Sequence, residues 1–415
     1  MRKNTEIRLV GQPIFGQLLK LIDSNDFNEL VREYSSDRYY KSFKTWDHLV
    51  TMLFGILSRC DSMAETCEGL QGMVGKLNHL KLIKPPAKSS AGDGLRNRKA
   101  AFFEALYYQL VRRYETFLSV SRSEGLSIKE LYIVDSTTIR LFSDILKGVG
   151  RNPAGDGRKK GGIKVHMLID ACSSTARFVR ITEAKTHDQK FMADIDVPAH
   201  SMLVFDKAYN DYGQFTRWTE EDIYFVTRQK SNAQYEVEEL LPTAKGTKDT
   251  ARVTKEEIIM VDSKVDGIEK SILLRRVCYQ DEKNRKYIFI SNNLEIPATE
   301  IALVYRKRWG IELLFKKMKQ NFQLNYFYGE NENAIRTQVW CTLIAQLLLT
   351  VLQHNAKVNK AFSTVATIIR IHLISMLDVC ELLSINRKSI LESAIKKKEK
   401  IPDLFNYMKI YPGPV

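Results

Sequence analysis

The sequence lacks the motifs that would indicate a zinc site or a disulfide framework. Its six cysteines are scattered over 415 residues and include no CxxC pair. Its seven histidines form no HExxH motif and no close cluster with cysteine, which argues against a histidine-ligated metal. Free, dispersed cysteines are typical of a reducing cytosol, so we expect a cytoplasmic protein.

Long apolar runs are also missing. The first ten residues, MRKNTEIRLV, hold no apolar segment of the signal-peptide type. The most apolar stretch, 339–352, is interrupted by threonine and glutamine and is too short to span a bilayer. We therefore expect a buried helix there and no membrane partner.

Basic residues exceed acidic ones. The 63 lysines and arginines against 49 aspartates and glutamates give a formal net charge of +14. Such an excess favours a polyanionic partner, with nucleic acid first and an acidic membrane surface second. The hydrophobic fraction of 44% is ordinary for a soluble globular protein, and 415 residues suffice for two or three domains.

The first part of the chain has the apolar spacing of helices. From Gln12 to about Tyr114 the pattern is helical, and the stretch KPPAKSSAGDG at 84–94 predicts a break. A basic amphipathic helix is expected after Asp93. It is either a solvated face or a DNA-docking surface, and its basic residues are Arg96, Arg98, Lys99, Arg112 and Arg113.

The pattern changes to strands at Leu131. β-branched runs predict strands around 131–142, 162–170, 175–184, 201–206 and 223–230, with a helix between the last two. Three consecutive strands followed by a helical crossover predict a mixed sheet with helices on its faces. Further strand-like runs between 229 and 296 predict a β-rich insertion.

The segment from Ile301 to Leu324 predicts one helix, because it lacks proline and is rich in helix formers. Two stripes follow from helical geometry. The apolar stripe should face the core and consists of Val304, Ile311, Phe315, Met318 and Phe322. The charged edge beside it, either an exposed ion-pair stripe or part of a site, consists of Tyr305, Arg308, Glu312 and Lys319.

Three carboxylates are candidates for metal-dependent chemistry. Asp135 and Asp206 lie at predicted strands and Glu312 lies on the predicted helix. Carboxylates from separate elements can converge on hard divalent cations, and two such ions can activate water and stabilise a leaving oxygen of a phosphodiester. The spacing alone leaves open that these are three unrelated acids among 49.

The sequence resembles bacterial DDE-type transposases of the insertion-sequence-four family, which cut and paste DNA through hairpin intermediates. The family signature, Tyr-x2-Arg-x3-Glu-x6-Lys, is matched at every spacing by Tyr305, Arg308, Glu312 and Lys319. VDSTTIRL, GIKVH and FDKAY match the strands that carry or adjoin the two aspartates. The resemblance covers roughly residues 131–352.

The resemblance implies an α/β fold with an RNase H-like mixed-sheet catalytic core and a β-rich insertion. It implies that Asp135, Asp206 and Glu312 bind two Mg²⁺ ions, with Mn²⁺ as a substitute. Tyr305, Arg308 and Lys319 would contact the DNA backbone near the cleaved end. The implied partners are double-stranded DNA, as terminal inverted repeats and target, and a second copy of the chain in a synaptic complex.

The expected division of the chain follows the same resemblance. A helical N-terminal DNA-binding domain and a helical C-terminal region, a candidate for dimerisation, flank the catalytic core. The boundaries are 1–127, 128–228 for the first part of the core, 229–297 for the insertion, 298–360 for the second part of the core, and 361–415. Two alternatives remain, another RNase H-fold metal-dependent nuclease and a non-catalytic DNA-binding descendant.

One departure from the family concerns base flipping. Better-known relatives receive a flipped base on a tryptophan in the insertion, but residues 229–296 contain none. The available aromatics are Tyr235, Tyr279, Tyr287 and Phe289, each of which is more often a strand core residue. Tyr209 is expected to pack in the core. Lys164 and His166 either face the site or simply alternate along their strand.

Overall fold

A single sheet runs through the middle of the described chain. The computed structural model describes residues 8–73, 75–119, 128, 130–140, 162–171, 175–183, 189–242, 252–322 and 327–385. The strands are β1 (Leu131–Arg140), β2 (Gly162–Asp170), β3 (Ala176–Glu183), β4 (Met202–Phe205), β5 (Tyr224–Arg228), β6 (Glu236–Leu241), β7 (Val253–Val265), β8 (Ile268–Gln280) and β9 (Lys286–Ser291).

The strand order is β3-β2-β1-β4-β5-β9-β8-β7-β6. The first three strands pair antiparallel, whereas β4 and β5 join β1 in parallel. This order and polarity are those of an RNase H-like core, so the predicted fold class is confirmed. The remaining strands pair antiparallel and extend the same sheet from β5 through β9.

The β-rich insertion is therefore continuous with the core sheet. Its innermost strand, β9, pairs with β5, and its long hairpin is formed by β7 and β8. The strand-like runs predicted here did not include β6, whose sequence, EVEELL, lacks a regular apolar alternation and whose residues lie mostly exposed at the sheet edge. The domain boundaries themselves stay predictions.

Helices precede, interrupt and follow the sheet. Among the described residues, six α-helices lie before it: α1 (Ile14–Leu19), α2 (Ser24–Glu33), α3 (Thr45–Ser58), α4 (Met63–Gln71), α5 (Lys88–Asn97) and α6 (Ala101–Ser119). Two lie between strands: α7 (Gln189–Met192) and α8 (Tyr212–Glu220). Five follow it: α9 (Ala298–Lys307), α10 (Trp309–Asn321), α11 (Glu332–Asn355), α12 (Phe362–Ile371) and α13 (Val379–Ser384).

The core around α11 joins both ends of the described chain. Buried side chains of the N-terminal helices, of one face of the first three strands, and of α10 to α13 form one apolar cluster. The predicted buried helix is confirmed in α11, where Trp340 and Leu348 are almost completely buried. This helix is long and apolar enough to cross a membrane, but 89% of its apolar window is buried inside the protein.

Two expectations for the N-terminal region are wrong. The predicted break at 84–94 gives way to α5 at Lys88, because two prolines lead into the helix and Ala91 and Leu95 are buried against neighbouring helices. The expected single basic helix is divided between α5 and α6. Arg98, at the division, is 2% exposed and cannot belong to a DNA-docking face.

Candidate active site

The two candidate aspartates lie side by side on neighbouring parallel strands, with Asp135 inside β1 and Asp206 directly after β4. In the register of β1 and β4, Val134 pairs with Phe205, so Asp135 and Asp206 are the residues that follow this pair. The pair therefore lies next to the carboxyl end of β4, and open α/β sheets build their sites at the carboxyl ends of strands. Asp206 then leaves the strand and caps a short 3₁₀ turn, its Oδ1 accepting from the Ala208 amide at 3.1 Å.

Strand alternation fixes the face on which Asp135 lies. Ile133 belongs to the cluster around α11, whereas Val134 belongs to the cluster under α8. Successive side chains point to opposite faces, so Asp135 shares the face of Ile133. That face is covered by α10, which places the third candidate acid on the correct side of the sheet.

The segment predicted as one helix from Ile301 to Leu324 is two helices. The chain tightens between α9 and α10, where the Arg308 amide donates to the Tyr305 carbonyl at 3.1 Å in a 3₁₀-like turn. Gly310 follows the joint and favours helix weakly. Residue 324 lies outside the described residues.

The joint divides the predicted apolar stripe between two cores. All five predicted residues are buried, as expected. Val304 of α9 packs in the cluster of β5, β8 and β9, whereas Ile311 and the rest of α10 pack in the cluster around α11. The joint at Arg308 therefore lies where the two cores meet.

Arg308 connects the acids. Its Nη1 donates to Asp135 Oδ2 at 3.2 Å and its Nη2 donates to Glu312 Oε1 at 2.7 Å. The arginine side chain is 8% exposed, the Asp135 side chain 17%, and the Glu312 side chain 55%. Burial alone would lower the pKa of Arg308, but Tyr305, Glu312 and Asp135 hold it above its ordinary value, so the guanidinium stays charged.

Among the three acids, Asp135 has a raised pKa. The pKa of its carboxyl is raised to about 6, mainly by burial and also by the negative charges of Glu312 and Asp206. The Ser136 amide and Arg308 oppose this rise. The mutual influence shows that the three acids share one electrostatic environment, although they come from three separate elements.

The donor chemistry of these acids suits a hard divalent cation, because carboxylate oxygens are the ligands that Mg²⁺ and Mn²⁺ prefer. Within the described residues, however, no three acidic, histidine or cysteine side chains approach closely enough to hold a metal ion. The Arg308 guanidinium instead lies between Asp135 and Glu312 and donates to both.

The other two signature residues take different positions. Lys319 is exposed, and its Nζ donates to the Thr138 carbonyl at 2.9 Å. This hydrogen bond holds the lysine against β1, the strand that carries Asp135. Tyr305 is 5% exposed and packs on Phe289 with ring centroids 4.8 Å apart. Its ring also lies 5.5 Å from the Arg308 guanidinium carbon.

A cavity of about 470 Å³ opens beside Glu312. Cations and aromatic rings dominate its lining, which includes Arg228, Arg285, Tyr279, Tyr287, Phe289, Tyr305 and Trp309. Arg228 lies over the Tyr287 ring at 5.4 Å, and Trp309 is 51% exposed. Of the four aromatics considered in the insertion, Tyr235 alone does not line this cavity.

Sequence reasoning missed Trp309 and Arg228. Trp309 follows the signature arginine directly, and the available signal was its position outside the apolar stripe of the helix. Arg228 ends β5 and carried no motif of its own.

Lys164 and His166 are turned away from the site. Their β1 partners are Thr138 and Ser136, which alternate with Asp135 and so lie on the opposite face. His166 is fully buried, stacks on Phe191 at 5.0 Å and lies 3.0 Å from Thr182 Oγ1. Tyr209 is 1% exposed in the same core, so its predicted packing is confirmed.

A family model described as "Transposase DDE domain" matches residues 127–348, more than half of the chain. The chain belongs to the DDE transposase family. The match spans all three candidate acids, and membership makes DNA the expected class of partner. A second model, described as a domain of unknown function, matches residues 10–81.

Curated relatives agree with the DDE family assignment. "Putative transposase y4zB" of Sinorhizobium fredii is 31% identical over 268 residues, covering 64% of this chain and 71% of the relative. "Probable transposase for insertion sequence element IS5377" of Geobacillus stearothermophilus is 27% identical over 230 residues, covering 55% of this chain and 58% of the relative.

Among solved structures, the piggyBac transposase in a synaptic complex with hairpin DNA aligns with 96% of this chain and 84% of its own. The identity is 13% and the TM-score is 0.42.

Proposed function

We propose that this DDE transposase moves DNA by cut-and-paste transposition, with Asp135, Asp206 and Glu312 as its catalytic acids. The observation that supports the proposal most directly is the pairing of β1 with β4, which brings two aspartates together on adjacent strands of an RNase H-like sheet. Glu312 joins them through Arg308. The match to the Tyr-x2-Arg-x3-Glu-x6-Lys signature favours the insertion-sequence-four group within the family.

Divalent metal ions are general to the family, and we assign two Mg²⁺ ions, replaceable by Mn²⁺, to the three acids. When bound, such ions activate the attacking water or 3′ hydroxyl and stabilise the leaving oxygen. Holding them with all three carboxylates requires the contact between Arg308 and Glu312 to open. Glu312 is the acid suited to this change, because its side chain is more than half exposed.

The signature cations then serve the DNA. Arg308, once released from Glu312, can neutralise phosphates beside the acids through charge-assisted hydrogen bonds. Lys319, about two turns beyond Glu312 on α10, can do the same. Tyr305 supports Arg308 through its ring. The cationic and aromatic cavity beside Glu312, which Trp309 helps to line, offers the DNA end a binding surface.

The reaction that we assign begins with hydrolysis of one strand at each element end. The freed 3′ hydroxyl attacks the phosphodiester of the opposite strand, which closes a hairpin and releases the flanking DNA. Hydrolysis opens the hairpin, and the regenerated 3′ hydroxyl attacks a phosphodiester of the target DNA and displaces its 3′ oxygen. Two ends must be held together, so a homodimer on DNA is part of the proposal. A simple metal-dependent nuclease with the same fold would nick but form no hairpin. A non-catalytic descendant would bind without cutting.

The central experiment compares Asp206→Ala with Asp196→Ala, an exposed acid on the loop before β4. The substrate is DNA that carries the inverted repeats flanking the coding region, incubated with Mg²⁺. We expect Asp206→Ala to lose cleavage at least 1,000-fold, on the order of the loss from removing a key catalytic group, and to keep end binding. Asp196→Ala should cleave normally. Retained cutting by Asp206→Ala would overturn the assignment.

A further inference from the structure

The N-terminal helical region holds a second cavity that shares no lining residue with the acidic site. It measures about 720 Å³, and the loop between α2 and α3 forms most of its wall. The rest comes from α5, the start of α6 and the residues between them. Its principal polar and aromatic lining residues are Tyr34, Arg38, Tyr39, Lys41, Asn97 and Lys99.

Tyr39 is exposed to solvent on a strained backbone. Its φ is 69°, in the left-handed region, and its side chain is 88% exposed. A large side chain in that conformation costs about 1–3 kcal/mol and persists only where the surrounding structure enforces it. The Arg38 guanidinium carbon lies 5.0 Å from the Tyr39 ring, so the exposed ring is already paired with a cation.

Arg98 enforces this loop conformation from below. Its Nε donates to the Ser36 carbonyl at 3.1 Å and its Nη2 donates to the Phe43 carbonyl at 2.9 Å, on either side of Tyr39. Its guanidinium carbon also lies 3.9 Å from the Tyr40 ring. A buried arginine thus fixes both ends of the loop, and the cavity is preorganised rather than created on binding.

The charge of the cavity selects an anion. Arg38, Lys41 and Lys99 are exposed at its rim. Among the described residues that line it, Asp93 is the one acid, and it is paired with Arg96 at 3.4 Å. Asp37, next to the rim, already accepts hydrogen bonds from the Thr45 amide and hydroxyl. Free cations therefore outnumber acids at the opening.

We propose that this cavity binds the sugar-phosphate backbone of a DNA strand, with phosphates on Lys41 and Lys99 and a sugar or base against Tyr39. Cations beside exposed aromatic rings are the combination that tracks a nucleic-acid strand. The inference rests on the proposed function only in taking DNA as the ligand. It gives the region matched by a domain of unknown function a contact outside the active site.

The test measures binding of the full chain to two fluorescent probes, a mixed-sequence 30-base-pair duplex and a 30-nucleotide single strand, over a range of salt concentrations in EDTA. Each neutralised phosphate contributes a slope of about 0.9 on duplex and about 0.7 on a single strand in the plot of log affinity against log salt. Lys41→Ala and Lys99→Ala should each lower the slope by about that amount. Lys20→Ala, an exposed cation outside the cavity, should leave it unchanged.

Tyr39→Asn tests the ring separately, because asparagine tolerates the left-handed backbone. It should weaken binding about 5-fold or more without changing the salt slope. Ile83→Asn removes an exposed apolar side chain elsewhere and should bind normally. Loss on both probes identifies the backbone as the ligand, and loss on the single strand alone identifies an unpaired nucleotide.

Folded variants that bind both probes like the wild type would overturn the inference and leave a protein or RNA as the occupant. That result would leave cleavage by the acidic site untouched. Plasmid nicking in Mn²⁺ separates the cavity inference from the proposed function. If Asp206→Ala loses nicking and the cavity variants keep it, the catalytic role belongs to the acids and not to the cavity.

Discussion

Replacing Asp135 with asparagine should change how the stability of the metal-free protein depends on pH. The folded chain raises the pKa of this carboxyl from 3.8 to about 6, so it binds the proton more tightly than the unfolded chain does. Stability from this group is present below pH 4 and is lost as pH rises from about 4 to about 6. Asp135→Asn has nearly the same shape, and its neutral amide does not ionise in this pH range.

The rise in pKa is worth about 3 kcal/mol in full, at about 1.36 kcal/mol for each tenfold change in proton affinity. About 2 kcal/mol of it falls between pH 4.5 and pH 7.5 by the same linkage. Dividing this free energy by an unfolding entropy of about 2.1 cal/mol/K per residue, over 415 residues, gives a shift of about 2 °C in the thermal midpoint.

The assay is thermal and urea unfolding of both proteins in EDTA at pH 4.5 and pH 7.5. The wild type should lose about 2 kcal/mol more than Asp135→Asn between these pH values. Glu330→Gln, at an exposed acid outside the site, should follow the wild type. Parallel pH dependence of the wild type and Asp135→Asn would refute the assignment of a destabilised buried carboxyl.

Three further predictions concern the site and its support. Mn²⁺ at ten times its dissociation constant should stabilise the wild type by about 1.4 kcal/mol but not Asp206→Ala, and equal stabilisation in a thermal melt would place the ion elsewhere. Lys319→Ala should reduce hairpin formation more than first-strand nicking on cognate ends, because Lys319 contacts β1 at Thr138, beyond Asp135. Equal losses in both steps would indicate a general electrostatic role. Gly94→Ala should destabilise the protein by about 1–3 kcal/mol in urea, since a Cβ there would lie 2.8 Å from the Phe43 ring, and an unchanged midpoint would contradict this packing.

Local signals were sufficient where one residue pattern decided one element. The alternation around Asp135 predicted a strand, and the spacing around Ile311 predicted a buried helical stripe. Both depend on the period of the backbone, which sequence displays directly. The five-strand core followed from the order of these elements and from the family resemblance.

Tertiary contacts decided what sequence patterns could not show. Arg98 looks like one more cation of a basic helix, and only the fold shows that it is buried under the α2–α3 loop. The break at Arg308 is equally hidden, because a guanidinium that bridges Asp135 and Glu312 depends on residues 177 positions apart. The exposed edge strand β6 was missed because its acids dilute the apolar alternation.

The shared core around α11 has a consequence for synthesis of the chain. The apolar faces of α3 and α6 pack on α11, which begins at Glu332, more than 200 residues after α6 ends. At roughly 5–20 residues per second, a ribosome needs about 10–40 s to supply that partner. During this interval the nascent N-terminal helices expose apolar surface, so early chaperone engagement should raise the yield of folded enzyme. A polypeptide that terminates before Glu332 lacks the helix that these faces require.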